Sequence, residues 1–121
     1  MIEHPWARPV VFFEIRGKDS KALQSFYATL FGWKIDANNP LSIGVVEPGV
    51  GGPVEGVGGV ITNSDEGRVL IYVQVANLNE SLREAERLGG RAVLEPTDIP
   101  NGPTIAQLAD PEGNLIGLVQ Q

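Results

Sequence analysis

One carboxylate stands inside an apolar, strand-like segment of this chain. Glu14 interrupts the run Val-Val-Phe-Phe-Glu-Ile at residues 10–15. A carboxylate in apolar surroundings can act as a general base or accept a hydrogen bond from a ligand amine. The alternative is an ion pair with Arg16 or Lys34 on a solvated sheet, because structural ion pairs also place carboxylates in strands. Both interpretations of Glu14 stay open at this point.

A second apolar segment carries two uncharged polar side chains. Tyr72 and Gln74 lie in Val-Leu-Ile-Tyr-Val-Gln-Val at residues 69–75 and, being two residues apart, share one face of a strand. A phenol and an amide are better suited to orienting a ligand by hydrogen bonds than to catalysis. The alternative is that both simply face solvent.

The composition excludes several kinds of site and partner. The 121 residues include no cysteine and one histidine, His4, which lies in a proline-flanked segment that we expect to be solvated. Fifteen acidic against nine basic residues give a net charge of −6, which disfavours nucleic acids and anionic membranes as partners. No apolar run approaches the ~18 residues of a membrane span, so a cytoplasmic location is expected.

Two similar halves must position these side chains. Each strand above is followed by an amphipathic helix, the first capped by Asp19 and ended by Gly32, the second capped by Asn77 and ended by Gly89-Gly90. Three shorter strands follow each helix. A constant shift of 58 residues lays residues 9–62 on 67–120, cap on cap and strand on strand, which predicts two β-α-β-β-β modules in a single domain, 1–121.

The apolar residues of the first helix predict which side packs on the sheet. They recur at i, i+4 and i+8 spacing and form an apolar stripe, in which Phe26 is expected in the core together with Trp33. The stripe comprises Ala22, Leu23, Phe26, Tyr27, Leu30 and Phe31.

Several segments in this order resemble the vicinal-oxygen-chelate superfamily. They are FYATLFGW at 26–33, the strand and capped helix at 69–89, and DPEGN at 110–114 before an apolar last strand. The superfamily includes glyoxalase I, extradiol dioxygenases, fosfomycin resistance enzymes and bleomycin-resistance binding proteins. The resemblance implies an α+β fold in which two βαβββ modules form curled mixed sheets around a concave cup, with the helices on the convex side.

The resemblance also implies where a metal ion would be held in metal-dependent members. The four ligand positions, on the first and last strand of each module, correspond here to Phe12, Gly59, Leu70 and Gly117. None of these residues has a side chain that ligates a transition metal. We therefore expect no metal and no other cofactor, and neither glyoxalase nor dioxygenase activity.

The leading hypothesis is a metal-independent protein that binds a metabolite or drug in the cup. Alternation along the strands places Gly59 and Ile61 in the cup and Ile71, Val73 and Val75 in the core. A homodimer is expected. The residues expected to bind the ligand are Phe12, Glu14, Leu70, Tyr72 and Gln74.

Two alternatives remain. The first is a lyase, isomerase or oxygenase that uses Glu14 as base or builds an unorthodox metal site from Glu14 and other carboxylates. It predicts a turnover that Glu14→Gln abolishes without unfolding the protein. The second is a domain with a vestigial cup that serves dimerisation or regulation, in which case no small molecule would raise its thermal stability.

Overall fold

The computed structural model describes residues 6–49 and 56–120, so His4 lies outside the described residues. Within these ranges the chain has two helices and eight strands, which confirms the α+β class and the β-α-β-β-β order of both modules. No helix in the described ranges is long and apolar enough to span a membrane. The elements are β1 (Val10–Gly17), α1 (Ser20–Phe31), β2 (Lys34–Asp36), β3 (Gly44–Glu47), β4 (Gly59–Asn63), β5 (Arg68–Val75), α2 (Leu78–Arg87), β6 (Arg91–Asp98), β7 (Thr104–Ala109) and β8 (Leu115–Gln120).

The chain divides into two compact units. The first unit is Phe12–Leu70, and the second is Met1–Val11 with Ile71–Gln121. In the first unit the strand order is β2-β3-β4-β1, and in the second it is β5-β8-β7-β6. The β1–β4 and β5–β8 pairs are parallel, and the remaining pairs within each unit are antiparallel. Each unit is therefore a mixed four-stranded sheet with one helix.

Both helices begin and end where the sequence predicts. The Asp19 side chain accepts a hydrogen bond from the Ala22 backbone N–H at 3.0 Å, and Asn77 accepts one from Glu80 at 2.9 Å. These contacts satisfy backbone donors that the first turn of a helix leaves unpaired. Gly32 follows α1 with φ of 69°, a left-handed conformation that glycine adopts without a steric cost.

The first unit packs only part of the predicted apolar stripe against its sheet. Leu23 and Tyr27 lie on a core whose buried members are Ile15, Val46 and Ile61, and Trp33 packs there too, as predicted. The placement of Phe26 in the core was wrong. The exposed fractions of the three outward-facing residues are 57% for Phe26, 58% for Leu30 and 56% for Phe31.

The second unit has its own core beneath α2. Its buried members are Val75, Leu78, Leu82, Ala106 and Leu118, and Val73 packs against them. Alternation along β5 therefore places Val73 and Val75 as predicted. Ile71 is 40% exposed, so its placement in the core was wrong. The physical reason is that the cluster beneath α2 extends along β5 only as far as Val73.

The register of β4 differs from the predicted one by a single residue. Phe13 pairs with Gly59 and Ile15 with Ile61, and Ile61 is fully buried in the core beneath α1. The prediction that Gly59 and Ile61 face the cup was therefore wrong. Residues of β4 correspond to those of β8 by a shift of 57, not 58. A slip of one residue exchanges the two faces of a strand.

Candidate functional site

In the first unit, β1 presents its polar side chains on the face opposite α1. Phe13 and Ile15 pack in the core beneath the helix, so Phe12, Glu14 and Arg16 point to the other face. The Glu14 carboxylate accepts a hydrogen bond from Nε of Arg16 in an ion pair. Their side chains are only 10% and 20% exposed, respectively.

This ion pair bears on the two interpretations of Glu14. An unpaired carboxylate in so buried a position would lose most of its hydration, and the adjacent guanidinium compensates for that loss. The pair is formed within β1 by residues two apart on one face. Of the two basic partners that the sequence offered, Arg16 is the one in contact with Glu14.

In the second unit, we call the sheet face opposite α2 the Tyr72 face. Its centre consists of two rows of paired residues from β5, β8 and β7: Tyr72 with Gly117 and Gln107, and Gln74 with Val119 and Ile105. The fourth strand, β6, lies beside β7, where Leu94 pairs with Gln107. The alternate residues of the same strands pack in the core beneath α2. The six residues of the two rows are all uncharged, so they offer hydrogen bonds and apolar contact but no ion pair.

The Tyr72 ring lies directly over the backbone of Gly117. A Cβ atom at residue 117 would stand only 2.6 Å from the ring atom Cζ, which is closer than real Cβ atoms approach other atoms. Glycine is thus the residue that lets the ring cross β8. The ring therefore fills the space that a side chain at residue 117 would occupy.

The Tyr72 hydroxyl reaches Gln107 on the far side of β8. It accepts a hydrogen bond from Nε2 of Gln107 at 3.1 Å, and the two residues are 3% and 7% exposed, respectively. A hydrogen bond this deeply buried holds both side chains in one arrangement, since leaving either group unpaired costs about 1–3 kcal/mol. Within the described part of the chain, no donor reaches the side-chain oxygen of Gln107.

Gln107 is a site residue that sequence reasoning missed. It is the one amide in the strand Thr-Ile-Ala-Gln-Leu-Ala, and alternation from Ala106 and Leu108 would have placed it opposite the helix. The remaining predicted residues are found as follows. Gln74 is half-buried on the Tyr72 face, Phe12 is half-buried on β1, and Leu70 on β5 is 3% exposed.

The residues at the superfamily's metal positions do not fit a divalent ion. Phe12, Leu70 and Gly117 offer no ligating side-chain atom, and the pairing of β1 with β4 puts Val60, not Gly59, at the fourth position, opposite Glu14. The Tyr72 ring also covers Gly117. Across residues 6–49 and 56–120, no three His, Cys, Asp or Glu side chains form a group able to hold a metal.

Solved structures similar to this one share its fold. A hypothetical protein from Bacillus halodurans C-125 is 16% identical, with a TM-score of 0.68 and coverage of 96% of both chains. A methylmalonyl-CoA epimerase variant from Streptomyces coelicolor, in complex with 2-nitronate-propionyl-CoA, is 18% identical, with a TM-score of 0.62 and coverage of 93% and 94%. The Mn(II)-bound glyoxalase from Novosphingobium aromaticivorans is 21% identical at a TM-score of 0.60, over 93% of this chain and 38% of that one.

Sequence comparison identifies the family. None of the curated proteins matches this sequence. The model of the glyoxalase-like domain matches residues 11–119, which include Tyr72, Gln74, Ile105, Gln107, Gly117 and Val119 of the Tyr72 face. The chain therefore belongs to the glyoxalase-like domain family.

Proposed function

We propose that this protein binds a small organic molecule without a metal ion, on the Tyr72 face of its second unit. The observation that carries the proposal is the buried hydrogen bond between Tyr72 and Gln107 across Gly117. It supplies fixed polar groups at the place where metal-dependent relatives of this fold would carry a metal ligand. Phe12, Glu14 and Leu70 belong to the first unit and stay predictions as ligand contacts.

The chemistry of the Tyr72 face indicates the class of ligand. Small-molecule sites are mostly apolar, with a few polar groups that fix the orientation of the ligand. Here Val119 and Ile105 are the apolar residues, and the Gln107 oxygen and the Gln74 amide are the polar groups. An uncharged or cationic molecule with an apolar body and an N–H or O–H donor suits this surface in a chain of net charge −6.

Glu14 does not need to act as a base under this proposal. Its ion pair with Arg16 accounts for the carboxylate in structural terms. Epimerases occur among the structural neighbours, but the identity is far too low to carry their activity to this chain. The binding proposal is therefore preferred over the lyase, isomerase or oxygenase alternative.

Metal analysis tests the first half of the proposal. Protein purified without chelator is expected to contain far less than one equivalent of any divalent transition ion, because the four superfamily positions lack ligating side chains. Inductively coupled plasma mass spectrometry measures this content directly. A value near one equivalent that survives gel filtration would contradict the proposal.

Thermal shift with a panel of neutral, cationic and anionic metabolites and drugs tests the second half. A ligand present at 100 times its Kd stabilises the native state by about 2.7 kcal/mol, which raises the Tm by several degrees. Tyr72→Phe is expected to lose most of this shift because Gln107 loses its partner. Tyr27→Phe makes the same chemical change in the first unit, where Tyr27 packs against the core beneath α1. It serves as the matched control, and we expect it to retain the thermal shift.

Two results would count against binding on the Tyr72 face. One is the absence of a shift across the whole panel, which would favour a domain used for dimerisation or regulation. The other is a thermal shift that Tyr72→Phe leaves intact, which would mean that the ligand binds elsewhere.

A further inference from the structure

We propose that Gln107 selects the class of ligand, and that this class is a carboxamide, lactam or ureide. The inference rests on the proposed binding of a small molecule to the Tyr72 face. It adds which chemical group the bound molecule presents to the protein. The group on the protein that pairs with it is the side-chain amide of Gln107.

The side-chain amide of Gln107 has hydrogen-bonding capacity that the protein does not use. A primary amide carries one oxygen that accepts and two N–H groups that donate. Nε2 of Gln107 donates to the Tyr72 hydroxyl at 3.1 Å. Across residues 6–49 and 56–120, the oxygen and the second N–H have no protein partner. Because Gln107 is only 7% exposed, bulk water satisfies these groups poorly, and a molecule that supplies both partners gains affinity.

The neighbours of Gln107 on the sheet leave this amide open to a ligand. In the adjacent strand β6 a bulge follows Ala92, so that Leu94 instead of Val93 pairs with Gln107. Paired residues of neighbouring strands face the same side of a sheet. Gln107 thus lies between Gly117 and Leu94, neither of which has a polar side chain. Its oxygen is not completely enclosed by the described part of the chain, so a bound molecule can reach it.

An amide-type group is the complement of this pattern. The oxygen of Gln107 accepts an N–H, and the N–H beside it donates to a carbonyl, so the matching group carries both in one plane. A carboxamide, a lactam or a ureide meets this condition without a charge, in agreement with the uncharged residues around it. A ketone leaves the oxygen of Gln107 unpaired, and an amine leaves its N–H unpaired. Buried polar groups that stay unpaired are the reason a site rejects a close analogue.

The pairing sets a condition on the hydrogen bond to Tyr72. Of the two N–H groups of Gln107, one lies beside the oxygen and the other points away from it. Tyr72 must take the N–H that points away, because only then do the second N–H and the oxygen form one edge. Beyond this edge, Leu94, Ile105 and Val119 supply apolar surface for the rest of the ligand.

The first test compares two probes of the same shape, benzamide and acetophenone, on the wild-type protein. Acetophenone carries a methyl group in place of the amide nitrogen, so it keeps the ring and the carbonyl and loses the donor. NMR titration of isotope-labelled protein is expected to give a Kd for benzamide that is at least about five-fold lower than for acetophenone. Benzamide should shift the signal of the Gln107 N–H beside the oxygen, and Tyr72→Phe should shift the signal of the other N–H.

Two variants test whether Gln107 is responsible for the preference. Gln107→Met keeps the length of the side chain and removes its amide, so the Kd values of the two probes should become similar. Gln24→Met is the matched control, because Nε2 of Gln24 also donates to a hydroxyl at 3.1 Å, that of Ser20 in the first unit. We expect this control to prefer benzamide as the wild type does. The comparison of probes on the wild type stands even if Gln107→Met does not fold.

The outcomes separate this inference from the proposed function. Equal affinity of the wild type for both probes, or a preference that Gln107→Met retains, overturns the inference and leaves binding to the Tyr72 face standing. Binding of other compounds of the thermal-shift panel without binding of benzamide has the same meaning. If neither probe binds and no compound of the panel raises the Tm, the proposed function fails and the inference fails with it.

Discussion

Ile61→Ala is expected to lower the free energy of unfolding by about 2–5 kcal/mol, whereas Val60→Ala should lower it by less than about 1.5 kcal/mol. The side chain of Ile61 is fully buried beneath α1 with Ile15 and Val46. Its truncation leaves a cavity that the packed core closes only in part. Val60, one residue away, points to the opposite face and is half-buried. Urea unfolding of both variants measures the difference.

This pair of variants tests the register of β4 directly. If the 58-residue shift held through β4, Ile61 would face the cup and Val60 the core, and the order of the two losses would be reversed. Equal m-values in the two variants would show that the change in midpoint reports stability and not a change in the unfolded state. A larger loss for Val60→Ala would contradict the structure.

Gly117→Ala is expected to lower the free energy of unfolding by about 1–3 kcal/mol, the usual cost of overpacking. The added Cβ would meet the Tyr72 ring, which the hydrogen bond from Gln107 holds in place. Glycine within a strand is itself less favourable than alanine by about 0.5–1 kcal/mol. The steric cost of the added Cβ therefore has to exceed the stability that alanine gains over glycine in a strand.

A double-mutant cycle separates these two effects. In a Tyr72→Ala background the space above residue 117 is vacated, so Gly117→Ala should become neutral or stabilising. Gly67→Ala is the matched control, because a Cβ there comes no closer than 3.9 Å to Arg16 and should change stability by less than about 1 kcal/mol. An unchanged stability of Gly117→Ala in the wild-type background would mean that the ring does not lie over residue 117.

The sequence predicted the local structure well because local signals are short-ranged. Asp19 and Asn77 each cap a helix through a side chain three residues from its donor. The alternation of β1 and β5 placed Glu14 and Tyr72 opposite Ile15 and Val73, because the period of a strand is two residues whatever lies beside it.

The register of β4 could not be predicted in the same way. The 58-residue shift was secured by the caps and helices, but a glycine-rich stretch at residues 47–59 separates these features from β4. Because this stretch has no hydrophobic periodicity, it does not indicate which residues of β4 pair with β1. A difference of one residue exchanges the two faces of β4. The correspondence of Gly117 with Gly59 failed for this reason.

The buried side of α1 could not be predicted for a related reason. Its apolar residues form two neighbouring stripes at i, i+4 spacing, one with Leu23 and Tyr27 and one with Phe26 and Leu30. The stripes are separated by about 60° around the helix, so both satisfy the same helical pattern. Only the position of the sheet decides which stripe is buried.

By itself, the sequence determined the two β-α-β-β-β modules, the resemblance to the superfamily and the loss of ligating side chains at its metal positions. These follow from residue types and from spacings within one element. The tertiary structure alone decided that Arg16 pairs with Glu14, that the Tyr72 ring covers Gly117 and that Gln107 holds its hydroxyl. The last two depend on which residues of β5, β8 and β7 lie side by side, 35 residues apart for Tyr72 and Gln107. Strand pairing sets such neighbours, and no local pattern in the chain encodes them.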